Sequence, residues 1–103
     1  MKNKFKSNGK LKMSIDSSKL LLKEKNYKDA KESLNKLSID NPNDLRTNFL
    51  LGRLYYDLND LRKSLFYFNK CNNLNSGNPN VLFNLALVLQ STGEVNKAKD
   101  IYN

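Results

Sequence analysis

The chain has 103 residues, with 18 Lys and Arg against 10 Asp and Glu, one cysteine and neither histidine nor tryptophan. That length holds one domain with a modest core; a hydrophobic fraction of 39% is too high for a disordered chain, and no apolar run approaches the roughly 18–20 residues of a membrane helix. A lone cysteine rules out an intrachain disulfide and a cysteine-rich metal site, and the lack of histidine removes the commonest general base and metal ligand.

The net charge is +8, and its placement matters more than its sum. Lys2, Lys4, Lys6, Lys10 and Lys12 bring five positive charges and no acid to the first twelve residues, among Asn3, Ser7, Asn8 and Gly9. Such a stretch buries too little surface to offset its ordering entropy. Residues 1–10 are therefore expected to form a disordered basic arm, and no apolar stretch follows that would make it a secretory signal. Beyond Lys12, thirteen basic residues meet ten acidic ones, so the body of the chain is near balance.

From residue 11 onward the chain repeats at an offset of 34, in units 11–44, 45–78 and 79–103, the last incomplete. The first unit carries Leu21, Tyr27, Ala30, Leu34 and Pro42; its opening helix looks degenerate, with Ser14 and Ser17 where apolar residues are expected. In the second, Leu50, Leu51, Leu54, Tyr55 and Leu58 have helical spacing, Asn59-Asp60 interrupts, and Leu61, Ser64, Leu65, Phe68 and Cys71 form the next stripe. Asn41-Pro42-Asn43-Asp44 and the segment Asn72 to Pro79 link the units, with Asp44 or Asn43 as an N-cap. The third unit has Leu82, Leu85, Ala86, Leu89, Ala98 and Tyr102, with Gly93 at the hairpin corner, where a left-handed backbone favours glycine. Small residues recur where the two helices of each hairpin should cross: Ser18, Gly52 and Ala86 on one side, Ala30, Ser64 and Ala98 on the other.

Three units in one register resemble the tetratricopeptide repeat, a helix-turn-helix unit of about 34 residues with W-x₂-L-G-x₂-Y…A-x₃-F…P spacing. Leu51, Gly52, Tyr55 and Phe68 match its key places, Ser64 and Cys71 stand where the family prefers alanine, and Asn48 stands where it has tryptophan, which should loosen one packing contact. The resemblance implies an all-α fold, a right-handed α-α superhelix of stacked hairpins over residues 11–103. It also implies a non-enzymatic scaffold for protein–protein interaction. The residues agree with this: no phosphate-binding loop, dinucleotide turn or nucleophile elbow is present, most of the acids fall at helix ends or beside lysine, and Cys71 lies on an inward position. No cofactor or metal is expected.

In tetratricopeptide proteins the first helix of each hairpin lines a concave groove. Its solvent-facing residues here would be Lys12, Ile15, Lys19, Leu22 and Lys23, then Arg46, Phe49, Arg53, Tyr56 and Asp57, then Asn80, Phe83, Leu87, Gln90 and Ser91. From these, Lys19, Lys23, Arg46, Phe49, Arg53, Tyr56, Phe83, Leu87 and Gln90 are the candidate binding residues. Basic groups interleaved with aromatic ones suit a protein or peptide partner with acidic side chains and a few apolar anchors. The carboxylate clamp of chaperone-binding members is not matched, because its places read Ile15, Lys19, Leu50, Asn80 and Asn84.

Two other functions compete. The chain ends within the third hairpin, which would leave an apolar edge of Leu85, Leu89, Ala98 and Tyr102 open. That favours the N-terminal repeat region of a longer enzyme, such as a glycosyltransferase or sulfotransferase, or self-association through the edge. A helical-repeat RNA binder is disfavoured, because the body carries little net charge and no base-reading pair recurs. The expected location is cytoplasmic, without membrane insertion.

Overall fold

A computed structural model of the chain describes residues 4–93, with side chains from Lys10 onward. Among the described residues there are five helices and no strand: α1 (Lys4–Lys23), α2 (Tyr27–Asp40), α3 (Leu45–Asp57), α4 (Leu61–Leu74) and α5 (Pro79–Ser91). Each helix packs on the next in sequence, and α1 also touches α3. Two hairpins, α1–α2 and α3–α4, are thus followed by α5. None of the described helices is long and apolar enough to cross a membrane.

The repeat is visible in the turns. Lys25, Asn59 and Gly93 all have positive φ, 61°, 61° and 87°, and stand 34 residues apart. Only Gly93 was expected there; at the other two corners the same geometry is imposed on residues with a Cβ. A left-handed conformation costs an L-residue roughly 1–2 kcal/mol, whereas introducing glycine adds unfolded-state entropy worth roughly 0.4–1 kcal/mol. Lys25→Gly should therefore stabilise the chain, by up to about 1 kcal/mol. A lower urea midpoint than the parent would contradict this.

Caps follow the same period. Asp44 opens α3 by accepting from the Thr47 amide at 2.9 Å, and Asn78 opens α5 by accepting from Asn80 and Val81. Asp60 opens α4 by accepting from the Lys63 amide. Each side chain satisfies a donor that the first turn of a helix leaves unpaired.

The core has two parts. Ile15, Ala30, Leu34, Leu37, Leu50, Leu51, Leu54 and Tyr55 join α1, α2 and α3; Phe68, Leu85, Ala86, Val88 and Leu89 join α4 and α5. Between them lies the crossing of α3 and α4. The Ser64 hydroxyl donates to the Gly52 carbonyl at 2.8 Å, and the Phe68 ring lies directly over the Gly52 Cα. Cys71 is buried, with its thiol 3.7 Å from the Leu45 carbonyl. Burial pushes that thiol up to about 12, so it stays protonated at neutral pH.

The structure bears on four expectations. First, α1 runs from Lys4 to Lys23, so the helix includes residues 4–10 of the expected basic arm. Once a helix is nucleated, each further residue adds a hydrogen bond, and lysine is a good helix former. Second, Ile15 is core and Leu22 half-buried, although both were expected to face solvent, while Ser17 is exposed rather than inward. The reason is the face concerned. Leu51 and Leu54 of α3 are buried in the core shared with α2; their counterparts one unit earlier, Ser17 and Leu20, are exposed, and no described element covers them. Third, Asn48 is fully buried where the family has tryptophan: its Nδ2 donates to the carbonyls of Pro42 and Asp44, tying the inter-unit turn to α3, while its Oδ1 is buried without a hydrogen-bond partner. Fourth, Leu85 and Leu89 are buried against Phe68 and its neighbours rather than forming an open edge; Ala98 and Tyr102 lie outside the described residues.

Candidate protein-binding groove

The odd-numbered helices share one surface. A cavity of about 330 Å³ opens between them, lined from α1 by Lys12, Ile15, Asp16 and Lys19, from α3 by Leu45, Arg46, Phe49 and Leu50, and from the start of α5 by Asn80 and Val81. One turn further along, Arg53 Nη1 donates to Asn84 Oδ1 at 3.4 Å, and the Tyr56 hydroxyl lies 3.4 Å from Ser91 Oγ. These bonds tie α3 to α5 on the same side of the molecule.

The offset of 34 arranges this surface in rungs that run from helix to helix. Lys12, Arg46 and Asn80 form the first, all exposed. Ile15, Phe49 and Phe83 form the second, with exposure rising from 5% at Ile15 to 44% at Phe83. Lys19, Arg53 and Leu87 form the third; Leu22, Tyr56 and Gln90 form the fourth. The side chains line up because each hairpin repeats the same helical phase, and long side chains at i, i+3 and i+7 share one helix face.

Of the candidate residues, Lys19, Arg46 and Phe49 meet in the cavity, with Arg53 and Tyr56 on the adjoining turn of α3 and Phe83, Leu87 and Gln90 along α5. Lys23 is separate from the cavity: it is exposed in the last turn of α1, where a cation complements the helix dipole. Phe49 and Tyr56 are half-buried rather than free. The Phe49 ring meets Phe68 edge-on at 5.5 Å and so belongs partly to the core. Asn84, absent from the candidates, proves structural to the site: it is 7% exposed, accepts from Arg53 and donates to the Asn80 carbonyl at 2.7 Å. No periodic signal marks it, since the equivalent place one unit earlier is Leu50.

The walls are basic but not uniformly so. Arg46 lies 3.4 Å from Asp44, the cap of its own helix, and Asp16 sits at the cavity rim. Lys12 and Lys19 complete the basic lining around an apolar floor of Ile15, Phe49, Leu50 and Val81, and Arg53 is exposed on the adjoining turn of α3. Among the described residues no group of His, Cys, Asp and Glu side chains gathers closely enough to hold a metal ion.

Residues 45–78 match the tetratricopeptide-repeat family model, which covers the α3–α4 unit in the register set out above. A sequence comparison with curated proteins finds no match. Among solved structures the chain resembles the type III secretion translocator chaperone SycD of Yersinia enterocolitica, with a TM-score of 0.83 at 18% identity, over 88% of this chain and 69% of that one. SycD has also been solved in complex with a peptide of the translocator YopD, and that chain aligns with a TM-score of 0.84 at 17% identity, over 90% of this chain and 71% of that one. MamA from Desulfovibrio magneticus RS-1, solved from residue 41 to its end, aligns with a TM-score of 0.82 at 25% identity, over 86% of this chain and 50% of that one, so this chain spans about half of the solved MamA chain. Residues 45–78 are thus a tetratricopeptide repeat, and the chain has the tetratricopeptide-repeat fold.

Proposed function

We propose that the chain is a non-enzymatic scaffold, acting in the cytoplasm, that holds a peptide or protein segment in the groove along α1, α3 and α5. The observation that carries this is the rung pattern: exposed cations at Lys12, Lys19, Arg46 and Arg53 around a floor of Ile15, Phe49 and Leu50, on the one surface that all three first helices share. A partner with acidic side chains complements it. Exposed charge pairs are worth about 0.2–1 kcal/mol each, while full burial of one large apolar side chain is worth roughly 1.5–3 kcal/mol. The apolar floor therefore supplies the affinity, and the cations supply orientation and association rate. The peptide complex of the similarly folded SycD supports a peptide as the kind of partner.

The test is a double substitution. Arg53→Ala with Tyr56→Ala removes an exposed guanidinium and a half-buried ring from the middle of the surface. Affinity for peptides selected from a random library should fall at least about tenfold, as expected for truncated arginine and tyrosine anchors. Helicity by circular dichroism should stay unchanged. Equal binding by the double variant would remove the groove from the account.

A further inference from the structure

We infer that the cavity between α1, α3 and α5 is an anchor subsite for one large apolar side chain of an extended acidic segment, whose carboxylates on either side of the anchor meet the two basic rungs. The inference rests on the groove function proposed above and specifies what the groove selects. Three observations converge on it. The cavity of about 330 Å³ has an apolar floor of Ile15, Phe49, Leu50 and Val81. That space equals roughly ten waters at ~30 Å³ each, enough for one leucine, methionine or phenylalanine side chain with its backbone. And the apolar rung is bracketed: Lys12 and Arg46 stand on one side of it, Lys19 and Arg53 on the other, with every one of these four cations exposed.

The bracket fits an extended chain. A polyproline-like segment has three residues per turn, so one side chain can face the floor while its two neighbours turn toward opposite walls. Its rise of about 9 Å per turn also matches the ~8–10 Å between packed helices. A segment reading acid, apolar, acid therefore places each side chain against a complementary group. A second copy of this chain does not meet these requirements: the groove lining carries Lys12, Lys19 and Arg46 against Asp16, and α1 as a whole carries six lysines against that one acid, so two such surfaces repel.

The test uses the whole chain and fluorescein-labelled synthetic peptides with a common Gly/Ser surround and the cores Asp-Phe-Glu, Asp-Ala-Glu, Asn-Phe-Gln and Lys-Phe-Lys. Fluorescence anisotropy at about 0.05 M salt keeps surface charges weakly screened. The Asp-Phe-Glu peptide should bind at least tenfold more tightly than the other three. In the Lys12→Glu, Lys19→Glu chain that preference should vanish and the Lys-Phe-Lys peptide should gain; Lys12→Gln with Lys19→Gln, milder for folding, should lose the preference without the gain. Equal binding of Asn-Phe-Gln would overturn the charged bracket, and equal binding of Asp-Ala-Glu the anchor subsite; in both cases the groove function stands if binding still depends on Arg53 and Tyr56. Unchanged preference in both charge variants places the peptide elsewhere and overturns the inference. No binding by any core overturns it too, and a library peptide that binds through Arg53 and Tyr56 then shows that the groove function survives.

Discussion

A Gly52→Leu chain is expected to melt at least about 5 °C below the parent, corresponding to a loss of about 1–3 kcal/mol. The reason is the distance at the α3–α4 crossing. A Cβ placed on Gly52 would lie 2.7 Å from Cε1 and Cζ of Phe68 and 2.9 Å from Cδ1. The ring cannot swing aside, because Phe68 is fully buried and its other neighbours include the edge-on Phe49 ring. The backbone cannot easily withdraw either, since the Ser64 hydroxyl holds the Gly52 carbonyl at 2.8 Å. Even alanine overpacks this site. Pairing Gly52→Ala with Phe68→Leu should recover part of the loss, giving a favourable coupling in a double-mutant cycle. A Gly52→Leu chain with the parent's melting curve would remove close packing at the crossing as the organising contact of the hairpin.

Asp44→Ala is expected to cost about 1–2 kcal/mol, more than the same change at Asp60. Both residues cap helices, but their settings differ. One carboxylate oxygen of Asp44 accepts from both the Thr47 amide at 2.9 Å and the Thr47 hydroxyl at 2.8 Å. Thr47 is fully buried, so losing Asp44 strands its hydroxyl as well as the amide, and an unpaired buried polar group costs about 1–3 kcal/mol. Asp60 makes one longer, exposed bond of 3.3 Å to the Lys63 amide, worth about 0.5–1 kcal/mol as a cap. The Arg46 ion pair of Asp44 adds little, being exposed on the arginine side. Urea denaturation of both variants checks the ranking; a larger loss at Asp60 would contradict it.

The 34-residue offset made most of the architecture legible, because a solenoid repeats its contacts as well as its residues. It placed Gly52 against Ser64 and Phe68, Cys71 inward, Asp44 at a helix start and Gly93 in a left-handed turn. It also held the key to Lys25 and Asn59, which share the turn geometry of Gly93 without its residue type. What was missed lies where the period breaks. Ile15 and Ser17 exchange roles because a face packed in α3 is uncovered in α1. Asn84 has a leucine as its equivalent and becomes polar to meet Arg53. The Phe49 ring was legible as aromatic and groove-facing, but its edge-on contact with Phe68 depends on the depth of the crossing, which a glycine in the sequence suggests and only geometry fixes.

The most direct test of the shared-surface account is an amide chemical-shift map of the isotope-labelled chain titrated with the Asp-Phe-Glu peptide. The account predicts shifts concentrated at the rungs of α1, α3 and α5, around Lys19, Arg46, Phe49, Arg53 and Phe83, with α2 and the exposed face of α4 around Phe66 unmoved. Saturable shifts centred on α2 and α4, with the rungs unchanged, would contradict it.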